Sequence, residues 1–206
     1  MKSIRNIVRI LRRLKKKWCV IHNNFKIKRA ARRTPLKIVV GAAGSCDQGW
    51  TATDIENLNL LNPRDWQNLF EENSIDAILA EHVWEHISLE EGLVAARQCY
   101  SYLKPGGYLR IAVPDGNHPD PSYIKRVEVG ADDHRVLFDN KSITELFESA
   151  GFDVQLLEYF DGQQNFNYTE WQAENGMIKR SRRFDSRNSD NQLNYTSIII
   201  DAVKKC

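Results

Sequence analysis

Several features are scarce or missing in this 206-residue chain. It has only four cysteines, Cys19, Cys46, Cys99 and Cys206, scattered without the spacing of a zinc cluster or a disulfide framework. A chain of this length builds a core without cross-links, so a reducing cytoplasm is the expected setting. No apolar run reaches the roughly 18 residues of a membrane span. The longest run near the start, residues 18–21, is too short for the core of a signal peptide. The glycine fingerprint G-x-G-x-x-G, which seats a pyrophosphate on a helix end, is also absent, which argues against a nucleotide-dependent oxidoreductase. No internal repeat is visible.

Acid is missing from one part of the chain. Residues 1–34 hold 13 of the 29 Lys and Arg and no Asp or Glu, leaving 16 basic against 27 acidic residues in the rest. The net charge of +2 therefore hides a basic arm, residues 1–34, joined to an acidic domain, residues 35–206. Within the arm, Ile4, Ile7, Val8, Leu11, Leu14 and Trp18 recur at helical spacing, with Arg and Lys between them. This predicts a basic amphipathic helix over residues 4–18. Its surface suits an anionic membrane interface, and equally packing against the domain or a second chain. Nucleic acid is a weaker match, and a mitochondrial presequence shares the composition. Residues 23–34 read as a basic linker.

What is present is concentrated in residues 75–115. Residues 75–79 form a short apolar run with the length of a buried strand. The run ends in a polar cluster, Glu81, His82, Glu85 and His86. Ser88 with Glu91 three residues on predicts a capped helix start. Leu93, Ala96, Tyr100 and Leu103 give that helix an apolar face. Pro105-Gly106-Gly107 is expected to stop it. Residues 108–113 are the next strand, and Pro114-Asp115 ends it. A strand, crossover helix and strand imply a parallel sheet, with ligands at the carboxyl ends of its strands.

The run Tyr102-Leu103-Lys104-Pro105-Gly106-Gly107 before a strand, after an acidic-histidine cluster, resembles the second half of class I S-adenosylmethionine-dependent methyltransferases. Residues 36–203 also resemble a bacterial subgroup of predicted methyltransferases associated with surface polysaccharide synthesis. The resemblance implies an α/β fold of three layers around a mostly parallel, seven-stranded, Rossmann-like sheet. It implies S-adenosylmethionine as cofactor. The loop Gly41-Ala42-Ala43-Gly44 after the first strand falls at the first cofactor loop, although the long helix that usually follows is missing. Asp54 falls where a carboxylate takes both ribose hydroxyls. Asn59 and Leu60 fall in a third strand flanking the adenine, and Glu81 and His82 on the methionine side. Strands over 152–160 and 195–203 are expected to be antiparallel neighbours. Residues 161–194 between them read as a folded insertion over the substrate side.

A hydroxyl acceptor needs a base, for which His134, His118 and Asp115 are the candidates. The expected acceptor is a small polar molecule: a sugar, nucleotide sugar or glycan intermediate. A non-catalytic binding module on the same fold is the alternative. His82-Val83-Trp84-Glu85-His86 also matches the inverted zinc-protease signature H-x-x-E-H. That chemistry needs both histidines on one helix face, yet the helix cap at Ser88 falls after the motif, so no metal site is expected.

Overall fold

In the computed structural model, which describes residues 18–44, 46–189 and 192–206, apolar runs become strands whose two faces are covered differently. The strands are β1 (Lys37–Val40), β2 (Thr51–Ala52), β3 (Ile75–Glu81), β4 (Leu103–Pro114), β5 (Asp153–Phe160), β6 (Phe166–Tyr168) and β7 (Ser197–Val203). They form one seven-stranded sheet in the order β2-β1-β3-β4-β7-β5-β6. The sheet is mixed: β1, β2, β3 and β4 pair in parallel, and β4, β7, β5 and β6 pair antiparallel. The strand expected at residues 58–60 is instead a loop, and β6, inside the insertion, supplies the seventh strand. Strands over residues 152–160 and 195–203 were expected as neighbours, and β5 and β7 do pair antiparallel.

Side chains alternate across the pleat. Ile38, Val40, Ile78, Ala80, Leu109, Ile111, Ile198 and Ile200 face one way, into the main core. Helices cover that face: α1 (residues 18–30), α2 (Pro63–Leu69), α3 (Leu89–Tyr102) and α5 (Asn140–Ser149). They contribute Ile27, Trp66, Cys99, Tyr102 and Phe147 among others. Trp66 stacks on Tyr102 with ring centroids 4.9 Å apart. A further short helix, α4 (Pro121–Val127), packs Tyr123 and Val127 against Tyr195.

The start of α3 follows the expected capping box: Ser88 Oγ accepts from the Glu91 amide, and Glu91 Oε2 accepts from the Ser88 amide. Helix α5 begins after Asp139, which caps it, and Ser142 returns the bond from the third position. The stop of α3 also differs from expectation. The helix ends at Tyr102 and Leu103 is already in β4. Ile75 pairs with Leu103 and Ala77 with Tyr108, so Pro105-Gly106-Gly107 is looped out of the strand. Position 107 is crowded, since a Cβ there would lie 3.0 Å from the carbonyl oxygens of Asp76 and Lys104.

The amphipathic helix expected over residues 4–18 lies, but for Trp18, outside the described residues. Much of the expected linker is helical: α1 buries Ile27 in the main core, and Asn57 Nδ2 donates to Asn24 Oδ1 at 2.8 Å. Trp18, Ile21 and Phe25 stay exposed on it.

The opposite face of the sheet carries Val39, Leu79, Ala112, Leu157 and Ile199, and the insertion covers it with Trp171 and Ile178. Two buried charged residues, Arg110 and Glu158, stand within this face. Arg110, 2% exposed, pairs through Nε and Nη2 with both oxygens of Asp201 at 2.7 Å. Its Nη1 donates to the carbonyls of Gln172 and Gly176 at 3.0 and 2.9 Å. Glu158, also 2% exposed, accepts from Trp171 Nε1 at 2.9 Å and from the Arg182 amide at 2.7 Å. The insertion is thus the third layer of the fold. Truncating one partner of a buried ion pair costs about 3–5 kcal/mol. Arg110→Met is expected to lower the unfolding free energy by about that amount in urea titration. It should also speed amide exchange selectively over residues 171–182.

Candidate active site

Parallel strands β1, β3 and β4 end on the same edge, where loops and the insertion enclose a crevice of two joined lobes. The first lobe, about 570 Å³, lies among Gly41, Ala42, Asp47, Glu81, Met177 and Lys179. The second, about 440 Å³, lies among His82, His86, Arg126, Asp132, His134 and Tyr195. Gly41, Ala43, Glu81, Arg180 and Arg187 line both. Each lobe falls in the size range of small-molecule sites, about 300–1,000 Å³.

The loop after β1 is held from behind. Asp54 accepts from the Ala43 amide at 2.8 Å and from the Gly44 amide at 3.2 Å. Gly41 has φ +63, and a Cβ there would meet Val83 Cγ2 at 2.7 Å, so the loop packs close against the chain that follows β3. Ala42 turns inward to the second core cluster. Asp54 and Gly44 line a neighbouring hollow of about 530 Å³ against α1, rather than the crevice itself. Asn59 and Leu60 do not reach the crevice either. Leu60 is buried and its carbonyl accepts from Trp66 Nε1, while Asn59 Oδ1 accepts from the Leu61 amide. With no strand at 58–60, nothing carries these two to the sheet edge.

After β3, Glu81 accepts from the Arg180 amide at 2.7 Å, which fastens the insertion over the lobe boundary. His82 has φ +56, and its ring joins Ser197 Oγ at 3.1 Å through Nε2 and Glu85 Oε1 at 2.9 Å through Nδ1. Trp84–His86 is a 3-10 turn that buries Glu85 and leaves His86 exposed. The edge of one ring of His86 and His134 meets the other at 5.0 Å between centroids. His134 is buried, and its Nδ1 lies 3.0 Å from the Val127 carbonyl. A carbonyl only accepts, so Nδ1 holds the proton and Nε2 keeps a free lone pair.

The expectation of a base at His118 or Asp115 does not match their surroundings. Asp120 donates its amide to His118 Nδ1, and Nε2 lies 3.1 Å from the Leu193 carbonyl, so both ring nitrogens are engaged. The ring also stacks on Tyr123 at 3.9 Å, and burial pushes its pKa below the ordinary range. Asp115 is fully buried and accepts from the Asn117 and Phe160 amides at 2.9 and 2.7 Å. Burial raises its carboxyl to about 6, against the pull of those amides. Both residues fasten the loop after β4 to β5 and to the insertion. Of the three candidates, His134 is the one whose side chain lines the crevice.

Arg126, Lys179, Arg180 and Arg187 line the crevice without having been expected there. The basic run at residues 179–183, inside a stretch rich in Asn and Gln, was the signal available for two of these cations, Lys179 and Arg180.

The crevice fits a zwitterionic amino-acid moiety, since Glu81 and Asp47 can meet an ammonium and Lys179 and Arg180 a carboxylate. A family profile described as "Methyltransferase domain" matches residues 12–157. Among solved structures, an S-adenosylmethionine-dependent methyltransferase from Archaeoglobus fulgidus is 12% identical with a TM-score of 0.52, over 92% of this chain and 94% of its own. Another from Thermotoga maritima, described as a possible histamine N-methyltransferase, is 16% identical with a TM-score of 0.50, over 96% and 97%. No curated protein matches the chain. The two structures agree with the fold. The profile spans most of the sequence, and the chain belongs to the methyltransferase domain family, whose methyl donor is S-adenosylmethionine.

Proposed function

We propose that this methyltransferase acts on a small, polar, anionic acceptor, such as a nucleotide sugar or a phosphorylated sugar or glycan intermediate of polysaccharide synthesis. The observation that carries this reading is the lining of the second lobe. It joins Arg126, Arg180 and Arg187 to three histidines and Tyr195. Guanidinium groups match phosphate oxygens with paired donors, and imidazole and phenol suit sugar hydroxyls.

The donor, when bound, supplies a methyl group on an electrophilic sulfonium. In this reading the first lobe holds its methionine end, between Glu81 on the ammonium and Lys179 with Arg180 on the carboxylate. Gly41, Ala42 and Ala43 bring backbone close to it. Asp54 keeps that loop in shape and has lone pairs left for ribose hydroxyls. His82, braced by Ser197 and Glu85, lines the second lobe. The acceptor lies in the second lobe, where His134 Nε2 takes the hydroxyl proton. Most of the rate enhancement then comes from holding donor and acceptor in line.

Exposed Trp18, Ile21 and Phe25 continue the basic segment that precedes them, and the proposal includes contact with an anionic membrane surface. A chain lacking residues 1–17 is expected to keep its affinity for S-adenosylhomocysteine and to stop sedimenting with phosphatidylglycerol vesicles. Equal sedimentation of both chains would remove the membrane from the account.

The acceptor reading is tested by methyl transfer from labelled S-adenosylmethionine to nucleotide sugars, phosphosugars and their neutral counterparts. Only the anionic acceptors are expected to be methylated. Arg126→Ala should raise KM for them about tenfold or more with little change in kcat, since it removes binding shared by ground and transition states. Equal turnover of the neutral sugars would sink the proposal.

A further inference from the structure

We infer that Glu85, His86 and His134 form a binding site for a divalent first-row transition cation of the Zn²⁺ kind. One ligand atom from each lies within 4.8 Å of the other two. Two imidazoles with one carboxylate are a donor set that such cations take, and that Mg²⁺ and Ca²⁺ do not favour.

No metal was expected at the H-x-x-E-H motif, because its two histidines do not lie on one helix. His82 and His86 do not share a helix face, because β3 ends at Glu81 and a 3-10 turn follows. The fold instead brings in a ligand from a distant loop. The Glu85 carbonyl accepts from the Arg135 amide at 2.7 Å and from the Val136 amide at 3.2 Å. This clamp lays residues 134–136 along the turn, and an ion pair between Arg135 and Glu91 fastens it from outside. His134 and His86 therefore meet because of backbone bonds made next to each of them.

Two further observations point to a ligand. The first is the carboxylate itself. Glu85 is 0% exposed, and its Oε2 has no hydrogen-bond partner among the described residues. Its nearest charged partner is His82 Nδ1, 2.9 Å from Oε1 and itself engaged with Ser197 through its other nitrogen. That contact serves one oxygen at most. A buried carboxylate left in this state is costly, and a cation removes the cost. The second is the orientation of His134. Metal-binding histidines characteristically donate their second ring nitrogen to a carbonyl or carboxylate. His134 does so to Val127, which presents Nε2 as the ligand atom.

In the tetrahedral geometry of zinc, bonds of about 2.0–2.2 Å place ligand atoms about 3.3–3.6 Å apart. Closing the set therefore draws its widest pair in by up to about 1.5 Å. His86 is exposed and its ring has room to turn.

Three protein ligands leave a coordination position open, the arrangement of catalytic rather than structural sites. Because His86 and His134 line the second lobe, a cation there would offer a Lewis acid to an oxygen of the acceptor. That placement rests on the proposed function, whereas the existence of the site does not. In the loaded protein the Nε2 lone pair of His134 belongs to the cation instead of acting as a free base.

The test is direct titration of the chelator-stripped full chain, with Zn²⁺ by calorimetry and with Co²⁺ by visible absorption. The parent protein is compared with His86→Ala and Glu85→Gln. Thermal midpoint and affinity for S-adenosylhomocysteine report whether each variant is folded. The parent is expected to bind one equivalent, to gain a Co²⁺ ligand-field band and to unfold at a higher temperature with Zn²⁺. Loss of a bonded ligand should weaken binding by about 100-fold or more, since loss of a merely supporting group already costs about 10–100-fold. His86 is exposed, so His86→Ala remains informative even if Glu85→Gln fails to fold. Equal binding by the parent and His86→Ala, or no stoichiometric binding by the parent, overturns the site. Neither result depends on which acceptor the enzyme uses.

Discussion

A guanidinium buried in the middle of a sheet face has to be surrounded by acceptors, and in this protein that requirement shapes half of the molecule. Arg110 takes one carboxylate from the neighbouring strand and two carbonyls from the insertion. Glu158 makes the complementary demand for donors and finds the Trp171 indole and the Arg182 amide. An apolar sheet face would accept many coverings in many registers. These two charges accept one, because leaving either unpaired in a low-dielectric interior is costly. They fix where residues 171–182 lie, with Trp171 and Ile178 filling the space around them.

The crevice follows from that placement. Parallel β1 and β3 deliver the Gly41 loop and Glu81 to one edge of the sheet, as strand-end loops do in α/β folds generally. The insertion then passes over the same edge, fastened by the Arg180 amide on Glu81, and brings Lys179, Arg180 and Arg187 into the walls. One segment thus completes the hydrophobic core on its inner side and supplies the positive charge of the site on its outer side. Weakening the layer and weakening the site are coupled for this reason.

Much of this was legible in the sequence where the signal was local. The Ser88–Glu91 box and the strand at 75 rest on short-range pattern, and both are present, while the antiparallel pair near the C-terminus followed from the resemblance. The failures share a cause. Pro105-Gly106-Gly107 carries a helix-stop signal, but whether it ends a helix or bulges a strand depends on its neighbours Ile75 and Ala77. Asn59 and Leu60 depended on a strand carried over from a resemblance, and their own side chains are used in a turn and in the core. His118 and His134 look alike in sequence, since each lies in a polar segment between β4 and α5. They part only in three dimensions, where Asp120 and Leu193 occupy both nitrogens of one and Val127 occupies a single nitrogen of the other. No sequence pattern signals the meeting of Glu85 and His86 with His134, because backbone bonds between distant segments make it.

The central claim is that the methionine end of the donor binds in the crevice between the Gly41 loop and the insertion, with its ribose toward Asp54, rather than wholly in the hollow behind it. Amide hydrogen exchange with and without S-adenosylhomocysteine tests it most directly. The account predicts slowed exchange at residues 41–44, 81–86 and 177–181, with little change along α1. Protection confined to residues 23–33 and 50–57, the walls of the hollow, would contradict it, as would no protection at saturating ligand.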